Sequence, residues 1–168
     1  MISQLTINEI RALLTLGHKM AVREIEQRAG AVWPNASALQ VAVLRHLDVQ
    51  PRTMSELSAR LPASSSTLVA AVDKLEAEGL LVRTPDPNDR RRTPLALTPK
   101  GRELLARIRP DDYDALRRSL EAMGDAKAEK LHKLLRELVE GMQTEAGQVE
   151  RMLENARERA ARQAAREE

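Results

Sequence analysis

The chain has 168 residues, of which 42% are hydrophobic and 31% charged, enough for one domain with an ordinary core and helical extensions. It contains no cysteine, which excludes disulfide bonds, a thiol nucleophile and a cysteine-based zinc site. The 27 lysines and arginines nearly balance the 25 aspartates and glutamates. Binding to a nucleic acid would therefore require that the positive charge be concentrated on one part of the surface.

Apolar residues at helical spacing predict two helices in the first third of the chain. We expect the first helix over residues 7–29, preceded by a capping box in which Thr6 and Glu9 satisfy each other's backbone donors. Asn35 is expected to cap the second helix, which ends before Pro51.

A short helix, a tight turn and a second helix are predicted next. Thr53 and Glu56 form another capping box at the start of the short helix. A cluster of serines and a threonine then begins a helix over about residues 64–79 that has one narrow apolar face. This succession is the helix-turn-helix pattern.

The apolar period changes to that of strands after this helix. Residues 80–84 and 95–98 have strand-like composition, and the segment 85–92 between them is rich in turn residues and arginine. Thr98 as N-cap and Pro99 at the first helical position then restart a helix. We therefore predict a mainly α-helical fold with a small β-hairpin wing.

The order of these elements resembles the MarR family of bacterial transcription regulators. The resemblance is carried by the segment VDKLEAEGLLVRTPDPNDRRRTPLALTPKGREL, residues 72–104, and covers about residues 5–142. The most diagnostic residues are Asp89, Arg90, Arg91, Leu97, Thr98 and Gly101. The charged tail lies outside it.

The resemblance implies a winged helix-turn-helix homodimer that acts as a transcriptional repressor. It places the helix 64–79 in the major groove and the wing 85–92 in the minor groove of a pseudo-palindromic operator. A small-molecule effector would release the DNA. The implied segments are an N-terminal dimerisation helix (1–34), the DNA-binding lobe (35–98) and C-terminal dimerisation helices (99–147). Outside the resemblance, the composition predicts a charged helical tail (148–168).

Small polar residues at a helix N-terminus contact phosphates and bases, and arginine enters a narrow minor groove. The predicted DNA-binding residues are Ser64, Ser65, Ser66, Thr67, Lys74, Arg90, Arg91 and Arg92. By resemblance, Arg90 contacts the groove at the wing tip, while Asp89 and Arg91 brace the wing by ion pairing, with Asp73 as a partner. The alternatives are plain helix capping for the serines and a solvated loop for the arginines.

The recognition helix is poor in cations. Between residues 64 and 84 the cations are Lys74 and Arg83. Base recognition would then depend on hydroxyl and backbone groups, or on the shape of the DNA. The sequence leaves these two modes open.

Other kinds of site find little support in the sequence. The three histidines stand apart from one another without a partner at metal-ligand spacing, and no catalytic motif occurs. We expect no cofactor, no metal site and no enzymatic activity. Trp33 and His46 lie where an effector pocket could form, but core packing or plain surface exposure explains them better, so the pocket stays unassigned.

No apolar run reaches the length of a signal peptide or a membrane span, and we expect a cytoplasmic chain, associated with the nucleoid when bound to DNA, without a membrane partner.

The competing hypothesis is a protein-interaction module that has lost specific DNA binding. Strong DNA binding that is lost in Arg90→Ala would favour the regulator. Capture of a protein partner without DNA binding would favour the module.

Overall fold

The computed structural model describes residues 2–84, 93–108, 114–142 and 147–167. In chain order the elements are α1 Gln4–Gly30, α2 Ala38–Val49, α3 Met54–Ser58, α4 Ser65–Ala77, β1 Leu81–Arg83, β2 Leu95–Leu97, α5 Pro99–Arg107, α6 Asp114–Met123, α7 Asp125–Met142 and α8 Gln148–Glu167. The two strands form an antiparallel hairpin. The predicted fold, mainly helical with a small wing hairpin, is confirmed.

The first two helices begin at caps other than those predicted. Ser3 caps α1 and its hydroxyl accepts a hydrogen bond from the backbone N–H of Thr6 at 3.1 Å, so that Thr6 lies inside the first turn. Ser37 caps α2 in a reciprocal capping box with Gln40. Asn35 instead takes a positive φ of 62° in the preceding turn, a conformation that asparagine tolerates better than most residues. Both predicted caps were wrong.

The apolar core fills the space between α2, α3, α4, the hairpin and α5. From α4 it receives Leu68, Val72 and Leu75, all fully buried. Trp33, in the turn after α1, is only 8% exposed, and its indole N–H donates to the carboxylate of Glu78 at 2.9 Å. The indole therefore links the end of α1 to the end of α4.

A third segment of backbone pairs with β2 of the hairpin. The backbone of Arg52, between α2 and α3, exchanges two hydrogen bonds with that of Leu95 at 2.8 and 3.1 Å. Next to Leu95, at the same end of the ladder, Thr84 N–H donates to the carbonyl of Pro94 at 3.0 Å. Proline lacks a donor but keeps its acceptor, so the paired backbone extends one step beyond the named strands.

The start of α5 packs directly on the junction between α4 and β1. Gly79 ends the turn after α4 with a φ of +71°, which favours glycine. The Leu80 carbonyl then accepts a hydrogen bond from Thr98 N–H at 3.1 Å. A Cβ atom on Gly101 would lie 2.0 Å from the same carbonyl oxygen. Only glycine allows α5 to approach this closely.

The helices at both ends of the chain leave large apolar side chains exposed. On α1, residues 4–20 are all exposed, and the described residues of α7 include none that is buried. The large apolar side chains that are exposed are Leu5, Ile7, Ile10, Leu13, Leu14, Leu16 and Met20 on α1, and Leu134, Leu135, Leu138, Val139 and Met142 on α7. No helix within the described ranges is long and apolar enough to cross a membrane.

The tail forms α8, which contacts both α7 and the lobe. Arg136 on α7 donates to Glu150 at 2.8 Å, and hydrogen bonds from Arg157 and Arg136 lower the pKa of Glu150. The guanidinium of Arg52, only 2% exposed, pairs with Glu158 at 3.3 Å. One side chain thus connects α8 with the segment that extends the wing hairpin.

Candidate nucleic-acid interface

The helix α4 lies on the surface with α3 behind it. The capping box of Thr53 and Glu56 begins α3 as predicted. Leu57 on α3 and Leu61 in the following turn are buried in the same core as Leu68. Because these side chains fix one face of α4, its opposite face points into solvent along the whole helix.

The predicted hydroxyl cluster is assembled at the start of α4. Ser64 is the N-cap, and its hydroxyl accepts a hydrogen bond from Thr67 N–H at 3.2 Å. The same hydroxyl is 3.1 Å from that of Ser66 and 2.7 Å from that of Thr67. All of these side chains, together with Ser65, are exposed. One of the four hydroxyls therefore has a capping role, and the others surround it on the surface.

An arginine on the first wing strand neutralises the acidic side chains of α4. Arg83 donates to Asp73 at 2.7 Å and also pairs with Glu76. The hydrogen bond to Asp73 is the main cause that raises the pKa of Arg83. Sequence reasoning did not find this role for Arg83, because only the strand position brings it beside two consecutive turns of α4.

The remaining predicted wing residues, Asp89, Arg90, Arg91 and Arg92, lie outside the described residues. The structure does give the two strands that flank this segment, and Arg83 ties the first of them to α4. Asp73, predicted as a bracing partner of Arg91, pairs with Arg83 in the described part of the chain. The predicted cation Lys74 is exposed on α4.

The described residues offer little for a different kind of site. They contain no group of three or more histidine, aspartate or glutamate side chains that could hold a metal ion. His46 is 3% exposed, and its backbone carbonyl faces the Arg52 guanidinium at 3.4 Å. Trp33 is buried in the core. Both side chains are thus packed in the interior of the lobe.

Comparison with known proteins agrees with this geometry. The family model described as MarR family matches residues 35–92, from the start of the lobe to the end of the wing segment. The transcriptional repressor MprA of Escherichia coli is 33% identical over 91 residues, which are 54% of this chain and 50% of MprA. The chain spans about half the length of the curated relatives that it matches.

Two solved structures extend the similarity to the flanking helices. The transcriptional regulator BldR from Sulfolobus solfataricus is 28% identical, with 83% of this chain and 99% of BldR covered and a TM-score of 0.61. The transcriptional repressor CouR, solved with a 23-mer DNA duplex, is also 28% identical, with the same coverage and a TM-score of 0.65. In its helix-turn-helix, its wing hairpin and its flanking helices, the chain is similar to transcription regulators of the MarR family.

Proposed function

We propose that the chain is a transcriptional repressor that binds a specific site on double-stranded DNA. The observation that carries the proposal is the exposed outer face of α4, supported from behind by α3 and flanked by the wing strands. Its start presents the hydroxyls and backbone N–H groups that suit phosphates and base edges. Among the relatives, MprA and CouR are both named repressors, and CouR was solved with DNA.

In the proposed complex, α4 enters the major groove and the segment 85–92 contacts the adjacent minor groove. The DNA contacts would be made by Ser64, Ser65, Ser66, Thr67, Lys74, Arg90, Arg91 and Arg92. Arg83 contributes indirectly, because it neutralises two carboxylates that would otherwise face the phosphates. The protein would act without catalysis, in the cytoplasm and on the nucleoid.

The active form in this proposal is a homodimer. The exposed side chains of α1 include Leu5 and Leu13, each 68% exposed, and Met142 on α7 is 66% exposed. A series of such side chains on one helix is characteristic of an interaction surface. Pairing of the segments 1–34 and 99–147 with those of a second copy would cover both helices. The two-fold axis would then require a pseudo-palindromic operator.

A small-molecule effector completes the proposal. A groove between α4 and α5 is lined by the apolar side chains of Trp33, Leu80 and Leu104 and by two acidic and two basic residues, Glu78, Glu103, Lys100 and Arg107. An organic ligand there would contact the same junction that orients the recognition helix. A compound that binds the free protein more tightly than the DNA-bound protein would shift the equilibrium toward the free protein.

The test is fluorescence anisotropy with labelled DNA from upstream of the protein's own gene, at several salt concentrations. We expect competitor-resistant binding of two chains per duplex, with a log–log salt slope of about −5 or steeper, because several phosphates are neutralised. Scrambled DNA is the control competitor. The same assay identifies effectors as compounds that lower the anisotropy of bound DNA.

The second candidate function is a protein-interaction module. It is favoured by the balance of charge around α4, where the two cations, Lys74 on α4 and Arg83 on β1, are matched by the two anions Asp73 and Glu76 on α4. Binding to the upstream DNA no tighter than to scrambled DNA, together with a stable protein complex, would replace the repressor proposal by this one.

Replacing Arg83 by methionine should lower the affinity for DNA much more than it lowers the stability of the fold. The ion pairs of Arg83 are partly exposed, with 34% of its side chain accessible, so we expect the free energy of unfolding to fall by less than about 1 kcal/mol. DNA affinity should fall by about tenfold, because Asp73 and Glu76 would then repel phosphates at close range. Denaturant unfolding and anisotropy measure the two effects. Arg102→Met on α5 is the control, and equal affinities of the two variants would contradict the role of Arg83.

A further inference from the structure

The exposed face of α4 is apolar where the helix would be deepest in the groove. Val69 and Ala70 follow Ser66 by one turn on the side of α4 that faces away from the core. Val69 is 43% exposed, although its neighbour Leu68 is fully buried. From Ser65 to Val72 the helix carries no charged side chain. The first two turns therefore present hydroxyl and aliphatic groups alone.

Three of the four hydroxyls at the start of α4 form hydrogen bonds with one another. Those of Ser66 and Thr67 both lie within hydrogen-bond distance of the Ser64 hydroxyl. Further along the helix, Asp73 is held by Arg83. The isopropyl group of Val69 lies between these two polar clusters and is itself exposed.

The base edges in the major groove offer one apolar group, the C5 methyl of thymine. We propose that Val69, with Ala70 beside it, contacts a thymine methyl in each half of the operator. This inference rests on the proposed function, since it requires α4 to lie in the major groove. Specificity would then come from an apolar contact as well as from hydroxyl groups, which accounts for a recognition helix with so few cations.

The position of Val69 separates it from the other apolar surfaces. The core contacts of α4 are made by Leu68, Val72 and Leu75. The exposed apolar side chains proposed for dimerisation lie on α1 and α7, which are other elements of the fold. Val82 on β1 is 44% exposed, almost the same fraction as Val69, but lies on the wing strand. Val82 therefore provides a matched control for a change in exposed aliphatic surface.

The experiment begins with selection of DNA sites from a random library by the full-length protein. Each thymine of the selected site is then replaced by deoxyuridine, which lacks only the methyl group, and affinities are measured by anisotropy. Loss of one buried methyl contact should weaken binding by about fourfold, and replacement in both half-sites by about fifteenfold. Val69→Ala should bind the thymine and uracil sites within twofold of each other. Val82→Ala should keep the full discrimination.

The outcomes distinguish the inference from the proposed function. Enrichment of a specific site in which every thymine-to-uracil change is neutral would overturn the inference and leave the repressor proposal standing. The same holds if Val69→Ala keeps the discrimination while its thermal unfolding midpoint equals that of the wild type. Failure to enrich any site would overturn both, because specific recognition would then be absent.

Discussion

Arg90→Ala should weaken binding to the operator by about 100-fold while leaving the fold intact. Loss of one arginine contact to a groove costs about 1.4 kcal/mol, and a dimer loses two such contacts. A guanidinium in a narrow minor groove meets a strongly negative potential that a neutral side chain cannot use. Anisotropy titrations at several salt concentrations measure both the affinity and the salt slope, which should become less steep.

The control for this prediction is Arg102→Ala, which removes the same charge from an exposed position on α5. It should change the affinity by less than threefold, since it alters only the general field of the protein. Equal affinities for the Arg90 and Arg102 variants would show that the wing tip does not contact DNA. Far-ultraviolet circular dichroism of both variants checks that the helical fold is retained.

Gly101→Ala should lower the free energy of unfolding by about 3 kcal/mol, the second large effect that we expect. The added Cβ would lie 2.0 Å from the Leu80 carbonyl oxygen, a backbone atom that cannot move aside as a flexible side chain would. Relief requires α5 to shift away from the α4–β1 junction, which opens the core beneath it. The thermal midpoint should fall by about 9 °C in a chain of this size.

Gly30→Ala provides the comparison for Gly101→Ala. A Cβ at Gly30 meets no atom within 4 Å, and the backbone there does not adopt a positive φ. This change should therefore be neutral or stabilise the fold by up to about 1 kcal/mol, through lower entropy of the unfolded chain. Both variants must be measured at one protein concentration if the protein dimerises. A Gly101→Ala midpoint equal to that of wild type would contradict the close packing of α5.

Several elements could be predicted because their signals are local. The capping box of Thr53 and Glu56 and the Thr98–Pro99 start of α5 were both confirmed. Each depends on groups within one turn of helix, so that the sequence alone contains all the interacting partners. The change from helical to strand period after Gly79 was equally visible, and β1 and β2 lie within the predicted ranges.

Local signals failed at two other helix starts. The sequence predicted Thr6 as the cap of the first helix and Asn35 as the cap of the second, whereas the structure uses Ser3 and Ser37. The choice depends on where the chain leaves the preceding turn, which a capping pattern does not encode. Asn35 is placed instead in a left-handed conformation by that turn.

The sequence by itself determined the succession of elements and the position of α4, because hydrophobic period and caps act over a few residues. Only the tertiary structure decided which distant groups meet. It pairs Arg83 with Asp73, and it joins Arg52 to Leu95 by backbone hydrogen bonds and to Glu158 by an ion pair. It also packs the start of α5 against the backbone of Leu80. It also left Val69 exposed between two paired polar clusters. These contacts depend on strand register and helix packing, which arise from the whole core at once and have no signature at any single position.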